Sequence, residues 1–433
     1  MSRERAAFRF AKVSARRVWG SFWFVPSLIV IGALALSVGL VRWDEADPIK
    51  LSRSISASSA STALSALGSG MLAFTGFVTS VVLMLVQFGT SQFSSRFVAM
   101  FRRNRTLMYS LSTFSATFLF ALVSTAQIGR GTADFVPTRT LIAALVLTLL
   151  SIAMFLILID RTSDGLRVAK VVQTVDKSAR DVFDTTYPLS ESDAAAAHET
   201  AHALAARTPR QTVAIGPVGR VVVALDQTGI TKLAEKRDAL VELVPAVGDH
   251  VPSGGTLLNV YGTRELPERR LRRYVALGDE RTLTDDPAFA FRLLVDVASK
   301  ALSPAVNDPT TAVQSLDRIE DLLRYAAAKH LSVGVVSDDN GTARLVYRTP
   351  TWDDLVELAL DEIRAFGAGQ YQVARRMRAM LDDLIADLPE SRRPALRRQS
   401  DLLDDAVASA ISEGQRADAL VPDRQGIGMS RRS

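Results

Sequence analysis

Apolar positions are distributed unevenly along this chain. Four uninterrupted apolar runs lie at 21–41, 70–90, 107–128 and 140–159, and none contains Asp, Glu, Lys, Arg or His. A helical run of about 20 such residues crosses a ~30 Å hydrocarbon core. The pattern therefore predicts four transmembrane helices in a membrane domain at 1–162. The Ser/Ala-rich stretch at 52–69 reads as a loose lead-in to the second span. Beyond the fourth span, charged and apolar residues recur at helical spacing over 160–187, up to Pro188. This predicts that the last helix continues past the bilayer.

The pattern then changes character. Residues 163–210 read as connecting helices, including an Ala-rich one at 194–206. Short β-branched runs follow, punctuated by Gly216, Pro217, Gly219 and a Gly/Pro-rich turn at 248–255. They predict a small barrel-like β-rich module at 211–263. From 264 to 421 helical periodicity dominates. Asp286-Pro287 and Asp308-Pro309 are N-cap plus N1-proline starts. Thr351 caps a further helix, and Asp338-Asp339-Asn340-Gly341 reads as a hairpin turn. The polar stretch at 422–433 reads as a disordered tail. The predicted fold is an α-helical multi-pass membrane protein, with four transmembrane helices plus a cytoplasmic α+β domain containing the β-rich module.

Charge adds orientation. The first residues carry Arg3, Arg5, Arg9, Lys12, Arg16 and Arg17; Arg96, Arg102, Arg103 and Arg105 follow the second span; Arg161, Arg167 and Lys170 follow the fourth. The positive-inside rule places both termini in the cytoplasm. A basic start before an apolar run also resembles a signal peptide. The length of the run and the sequence Val41-Arg42-Trp43-Asp44 after it favour a retained helix. Trp19, Trp23 and Trp43 flank this span as interfacial aromatics do. The net charge is +5 and there is no Cys, which excludes disulfides, Fe–S clusters and thiolate zinc sites. Basic residues beside spans point to the lipid bilayer as partner rather than nucleic acid.

Three features carry candidate chemistry. The second span places Thr75, Thr79, Ser80, Gln87 and Thr90 on one half of its helical wheel, with Gly76 and Ser91. Phe74, Phe77, Val81, Leu85 and Phe88 fall on the other, lipid-facing half. The polar face either packs against another helix or lines a water-filled path in a homo-oligomer. No span holds an ionisable group, which disfavours a proton-coupled pump. Second, His198-Glu199-Thr200-Ala201-His202 matches the zinc-peptidase pattern, in which two imidazoles on one helix face bind the metal and the glutamate activates water. Ala203-Leu204-Ala205-Ala206 supply no third ligand, so the segment reads as a solvated helix without metal or cofactor. Third, Glu280, Arg281, Asn307, Asp308 and Thr310 lie in two motif-like runs. They form either structural turns at helix starts or a converging ligand site. Arg292, Asp296 and Lys300 read as an ion-pair ladder.

These runs carry a resemblance. Ser303-Pro304-Ala305-Val306-Asn307-Asp308-Pro309, the segment 280–289, Gln92-Phe93-Ser94-Ser95-Arg96 and Gly248-Asp249 together resemble the bacterial predicted-membrane-protein family known as domain of unknown function twenty-two fifty-four. The resemblance covers nearly the whole chain and implies an inner-membrane protein without an assigned activity. Three functions stay open: an oligomeric channel-like protein with a cytoplasmic gating or assembly domain, a membrane-tethered sensor or scaffold, and, least favoured, a membrane zinc metallopeptidase. The expectation is a protein that is not an enzyme.

Overall fold

The computed structural model describes residues 24–47, 56–92, 105–128, 136–165, 168–187, 208–283, 285–331 and 334–429. The chain forms two compact units, divided between Arg167 and Val168.

The first unit holds four helices: α1 (Phe24–Ala46), α2 (Ala57–Gln92), α3 (Arg105–Ile128) and α4 (Thr138–Gly165). Each is long and apolar enough to cross a bilayer. α3 packs against the other three. Its hydroxyls find partners inside the bundle, as hydrocarbon requires of buried polar groups. Ser37 on α1 meets Ser124 at 2.8 Å, Thr117 meets Ser151 at 2.9 Å, and Ser110 donates to the Met154 carbonyl at 3.1 Å. Phe114 and Phe120 are fully buried beside them. Leu28, Ile31, Leu72, Leu149 and Leu156 point outward, as lipid-facing side chains do.

α2 differs from the expected loose lead-in. It is helical from Ala57 over 36 residues, which is about 54 Å of helix. Ser56 Oγ accepts the Ser59 amide at 3.1 Å and so caps its start. Thr62 and Ser69 then return their hydroxyls to the carbonyls four residues back. Small residues that satisfy themselves in this way extend a helix that hydropathy alone ends too early.

Asp44, near the end of α1, is wholly buried. Its Oδ2 accepts the Thr140 amide at 2.9 Å and the Thr140 hydroxyl at 2.8 Å, and its Oδ1 accepts the Arg139 amide at 3.2 Å. One helix thus caps the first turn of another. Arg139 completes the cluster, bonding Asp47 Oδ2 at 2.9 Å and lying 4.8 Å from the Trp43 ring centroid.

The second unit starts with α5 (Val168–Thr186), a separate helix from α4; residues 166–167, on which an unbroken continuation depends, lie outside the described residues. Next come β1 (Gln211–Ala214), β2 (Arg220–Leu225), α6 (Gln227–Glu235), β3 (Leu240–Leu243), β4 (His250–Val251), β5 (Thr256–Tyr261), α7 (Glu268–Arg273) and β6 (Val275–Gly278). Then follow α8 (Pro287–Ala301), α9 (Pro309–Ala327), β7 (Gly334–Ser337), β8 (Ala343–Tyr347), α10 (Trp352–Gly367), α11 (Tyr371–Asp387), α12 (Arg393–Ala410) and α13 (Glu413–Ala419).

The β-rich region is not a barrel. It consists of two open sheets, one ordered β1-β5-β3-β8-β7 and the other β4-β2-β6. The hairpin β7–β8 returns from distant sequence, and β8 pairs parallel to β3, with Val241 opposite Leu345. That pairing occupies the edge that closure would need. Val222, Leu225, Ile230, Val241, Leu243, Leu258, Leu271 and Leu345 belong to one apolar core in this region.

α8 is the buried centre of the helical part. Phe291, Leu293, Leu294, Val295, Val297 and Ala298 are all buried, and α5, α9 and α10 pack around them. Arg292 pairs with Asp296 at 2.6 Å and with Glu362 of α10, so the expected ladder includes a bridge between helices. Arg376 of α11 grips Asp317 and Glu320 of α9 at 2.7 and 2.6 Å.

The tail, expected to be disordered, is fastened as far as Gly428, and residues 430–433 lie outside the described residues. Buried Asp423 accepts the amides of Gln425, Gly426 and Gly428 at 2.7–3.1 Å. Arg375 donates to the carbonyls of Asp418 and Gly428, and Gln372 to that of Gly426. These backbone bonds hold a polar segment that cannot bury enough apolar surface by itself.

Candidate functional site

On α2, exposure follows helix geometry. Met71, Val78 and half-buried Phe74 turn toward α3 and α4. Phe74 was expected to face lipid, but it packs edge-on against Phe114 at 5.2 Å and Phe155 at 5.0 Å. Phe77 and Val81 are exposed, as the wheel implied. Thr75 and Thr79 are half-buried at the margin, donating to the Met71 and Thr75 carbonyls at 2.7 Å. The outward face carries Ser65, Ser69, Ala73, Gly76, Ser80 and Gln87 interleaved with Leu72, Leu83 and Met84, all exposed. A Cβ on Gly76 would meet nothing within 4 Å. The side chain of Thr90 lies outside what the structure describes.

In the second unit, the structure separates residues that sequence had grouped. Glu280 and Arg281 precede the N-terminus of α8, whereas Asn307, Asp308 and Thr310 follow its C-terminus. The 15 residues of α8 span about 22 Å. The converging site is therefore not formed, because a straight helix lies between its two halves.

Each half is instead a closed helix start. Asp308 accepts the Thr311 amide at 3.1 Å and its hydroxyl at 2.6 Å. Asn307 adopts the left-handed backbone at φ 48° and accepts Gln370 Nε2 at 3.1 Å. Thr310 is exposed. A cap and a proline at each N-terminus leave little room for an exogenous anion.

The start of α8 is the more elaborate of the two. Asp286, 2% exposed, accepts the Phe289 amide at 3.0 Å. It also binds Arg281, through Nε at 2.8 Å and Nη2 at 2.7 Å. The Arg281 guanidinium lies 5.6 Å from the Phe289 ring centroid, while Glu280 is exposed. Gly248, at φ +99°, lies directly against the pair: a Cβ there would stand 2.4 Å from Asp286 Oδ2. Gly248-Asp249 and the 280–289 run, distant in sequence, thus meet in space.

Two buried tyrosines adjoin this place. Tyr187 donates to the Pro350 carbonyl at 2.9 Å, and Tyr347 accepts Gln227 Nε2 at 3.0 Å. Burial pushes both phenols well above the ordinary range, helped by Tyr347 and Asp286 in the first case and Asp285 in the second. Gly248 and the acidic run stood in quoted motifs. Tyr187, Gln227 and Tyr347 gave no local signal.

Burial also pushes the Asp286 carboxyl upward, and it outweighs the opposing pull of Arg281 and the Phe289 amide. The sign of the linkage follows. A raised folded-state value contributes stability below the ordinary carboxylate range, and that contribution is lost as pH rises through the folded value. Asp286→Asn keeps a capping oxygen and does not titrate. The stability of the native chain relative to this variant is expected to fall as pH rises through that window. Urea unfolding across pH, followed by hydrogen exchange of α8 amides, measures it; a pH-independent difference would refute the assignment.

His198, Glu199 and His202 lie outside the described residues. Among the described residues, no group of three His, Asp or Glu side chains is placed to hold a metal ion. His250 and His330 are exposed.

Four bilayer-length helices followed by a mixed α/β unit define a multi-pass membrane protein. The chain belongs to the family described as "Predicted membrane protein (DUF2254)", whose model matches residues 19–383. It is similar to an uncharacterised protein of Mycobacterium bovis and to one of Mycobacterium tuberculosis. Each is 27% identical over 370 residues, covering 82% of this chain and 68% of the relative. No solved structure matches the chain.

Proposed function

We propose that the chain is the protomer of a homo-oligomeric, channel-like assembly in the bacterial inner membrane, with both termini and the α/β unit in the cytoplasm, where that unit gates or assembles it. The outward face of α2 carries this reading. Ser65, Ser69, Ala73, Gly76, Ser80 and Gln87 are exposed on a helix that is long and apolar enough to span a bilayer. A hydroxyl such as that of Ser80, inside the apolar span Ser58–Leu85, is costly to leave in hydrocarbon. Small residues let a second backbone approach closely, and hydroxyls tolerate either a helix neighbour or water. A second copy of the same face satisfies both requirements.

The native chain has no Cys, which makes the test clean. Cysteines at Gly76, Ser80 and Gln87 should react with membrane-impermeant thiol reagents, while those at Phe77 and Val81 should not, since thiolate chemistry requires water. Reconstituted protein should conduct ions, and bulky residues at Ser80 should reduce the current. Cross-linking without reactivity or conductance would leave an assembly and remove the path. A periplasm-active reporter after Ala133 should be active and one after Lys170 inactive; the reverse would refute the orientation.

The second reading, a membrane-tethered sensor or scaffold, is favoured by the exposed loop 304–307 at the start of α9. Val306 projects there at 37% exposure, and Phe366 at the end of α10 is 58% exposed. Binding of a partner lost on Val306→Asp, with α2 cysteines unreactive, would select it; a Val306→Asp variant that retains partner binding would remove it.

A further inference from the structure

Most arginines of the second unit are engaged. Arg281, Arg292, Arg318, Arg324, Arg344 and Arg376 each hold a carboxylate. α7 and its approach break this habit. Residues 264–273 contain five arginines against two glutamates. Arg272 pairs with Glu268 at 2.6 Å. Arg264, Arg269, Arg270 and Arg273 are exposed and form no ion pair among the described residues.

The arrangement is built rather than loose. Leu271 is completely buried in the core of the β-rich region. At 100° per residue, Arg269, Arg270 and Arg273 share an arc of about 100° opposite it. Leu266, just before α7, exchanges two hydrogen bonds with the Gln211 side chain, at 2.9 and 3.1 Å. Tyr274, just after α7, packs over Gly229, where a Cβ would stand 2.4 Å from its ring. Three guanidiniums are thus held outward on a short helix fastened at both ends.

We propose that this arginine face docks on the anionic phosphodiester headgroups of a bilayer. Guanidinium groups keep their charge at any physiological pH and are drawn to an anionic headgroup surface by that charge. The covalent chain already enters a bilayer through four helices, so an anionic surface is always at high effective concentration. No exposed aromatic residue lies within 264–273 to stack bases, which favours a lipid surface over a nucleic acid.

The test uses the full chain in nanodiscs, with an environment-sensitive dye on a single cysteine replacing exposed Thr263. Discs containing phosphatidylglycerol should shift the dye emission to the blue, and phosphatidylcholine discs should not. Salt at about 0.5 M should reverse the shift. At ~1 kcal/mol per basic residue near a charged surface, combining Arg269→Gln, Arg270→Gln and Arg273→Gln should lower the docked-to-free ratio on the order of 100-fold and abolish the shift. The corresponding triple lysine variant should retain it. Equal emission in both lipids, persistence in the glutamine variant, or loss in the lysine variant would overturn the proposal. So would a single-stranded oligonucleotide that displaces the dye-labelled face from the anionic disc, which would assign the face to nucleic acid.

Discussion

Gly248→Ala is expected to destabilise the α/β unit by about 3 kcal/mol, although it adds a single methyl group. Two costs combine. Gly248 has φ +99°, where a side chain costs roughly 1–2 kcal/mol. The added Cβ would also stand 2.4 Å from Asp286 Oδ2 and 2.5 Å from Arg281 Nη2. Arg281 is partly exposed and can swing away, but Asp286 is buried and caps α8. Moving it forfeits the cap, worth about 0.5–2 kcal/mol, and loosens a buried charge. Gly254→Ala is the control, because that glycine has φ +73° and nothing within 4 Å of its Cβ position. It should lose only the backbone cost, about 1 kcal/mol. Thermal unfolding of both variants separates the contact from the conformation. Equal losses would show that Gly248 is required only for its backbone and that its contact with the Arg281–Asp286 pair contributes nothing.

What sequence revealed follows the range of the interactions. The helix starts at Asp286 and Asp308 were legible because a cap acts over three residues, and both accept the amides expected of them. The hairpin β7–β8 and the Thr351 cap were legible for the same reason, while the reciprocal Asp354 bond that completes a capping box was not. The four spans were legible because hydrocarbon imposes a length and a composition together. The extension of α2 back to Ala57 was not, since Ser and Ala are too polar for the hydropathy pattern yet form a self-satisfied helix. Phe74 was misplaced because a wheel shows direction without showing which neighbour stands there, and Phe114 and Phe155 do. The barrel expectation failed because nothing near 240–243 announces a parallel partner at 345–347. The tail read as disordered because the carbonyls that fasten it meet Arg375 and Gln372, about 50 positions earlier. In the candidate site, Gly248 and Asp286 could be named from sequence, but their juxtaposition could not.

Asp44→Ala should be among the most damaging single changes in the membrane unit, at about 3 kcal/mol. Sequence shows Asp44 as one charge among several in a mixed loop. The structure makes it the acceptor for the first turn of α4, taking the amides of Arg139 and Thr140 and the Thr140 hydroxyl. These donors belong to the group of helix-start amides without intrahelical partners. Here the side chain that serves them is wholly buried, so water cannot readily replace it. Asp44→Asn retains one accepting oxygen but turns an amide donor toward other donors, so it should fall between native and alanine. Arg139→Ala removes the Asp47 bonds, the contact over Trp43 and the 3.4 Å ion pair to Asp44, yet leaves the Arg139 and Thr140 amides that Asp44 accepts in place. Asp44 keeps its three shorter bonds to Arg139 and Thr140, so this loss should cost less than Asp44→Ala, on the order of 1–2 kcal/mol. Denaturation in mixed micelles with increasing dodecyl sulfate ranks the three variants. If Arg139→Ala proved as damaging as Asp44→Ala, the cluster would be an ion pair whose partners depend on each other. The order Asp44→Ala, then Asp44→Asn, then Arg139→Ala would establish that a carboxylate on one helix caps another and ties α1 to α4.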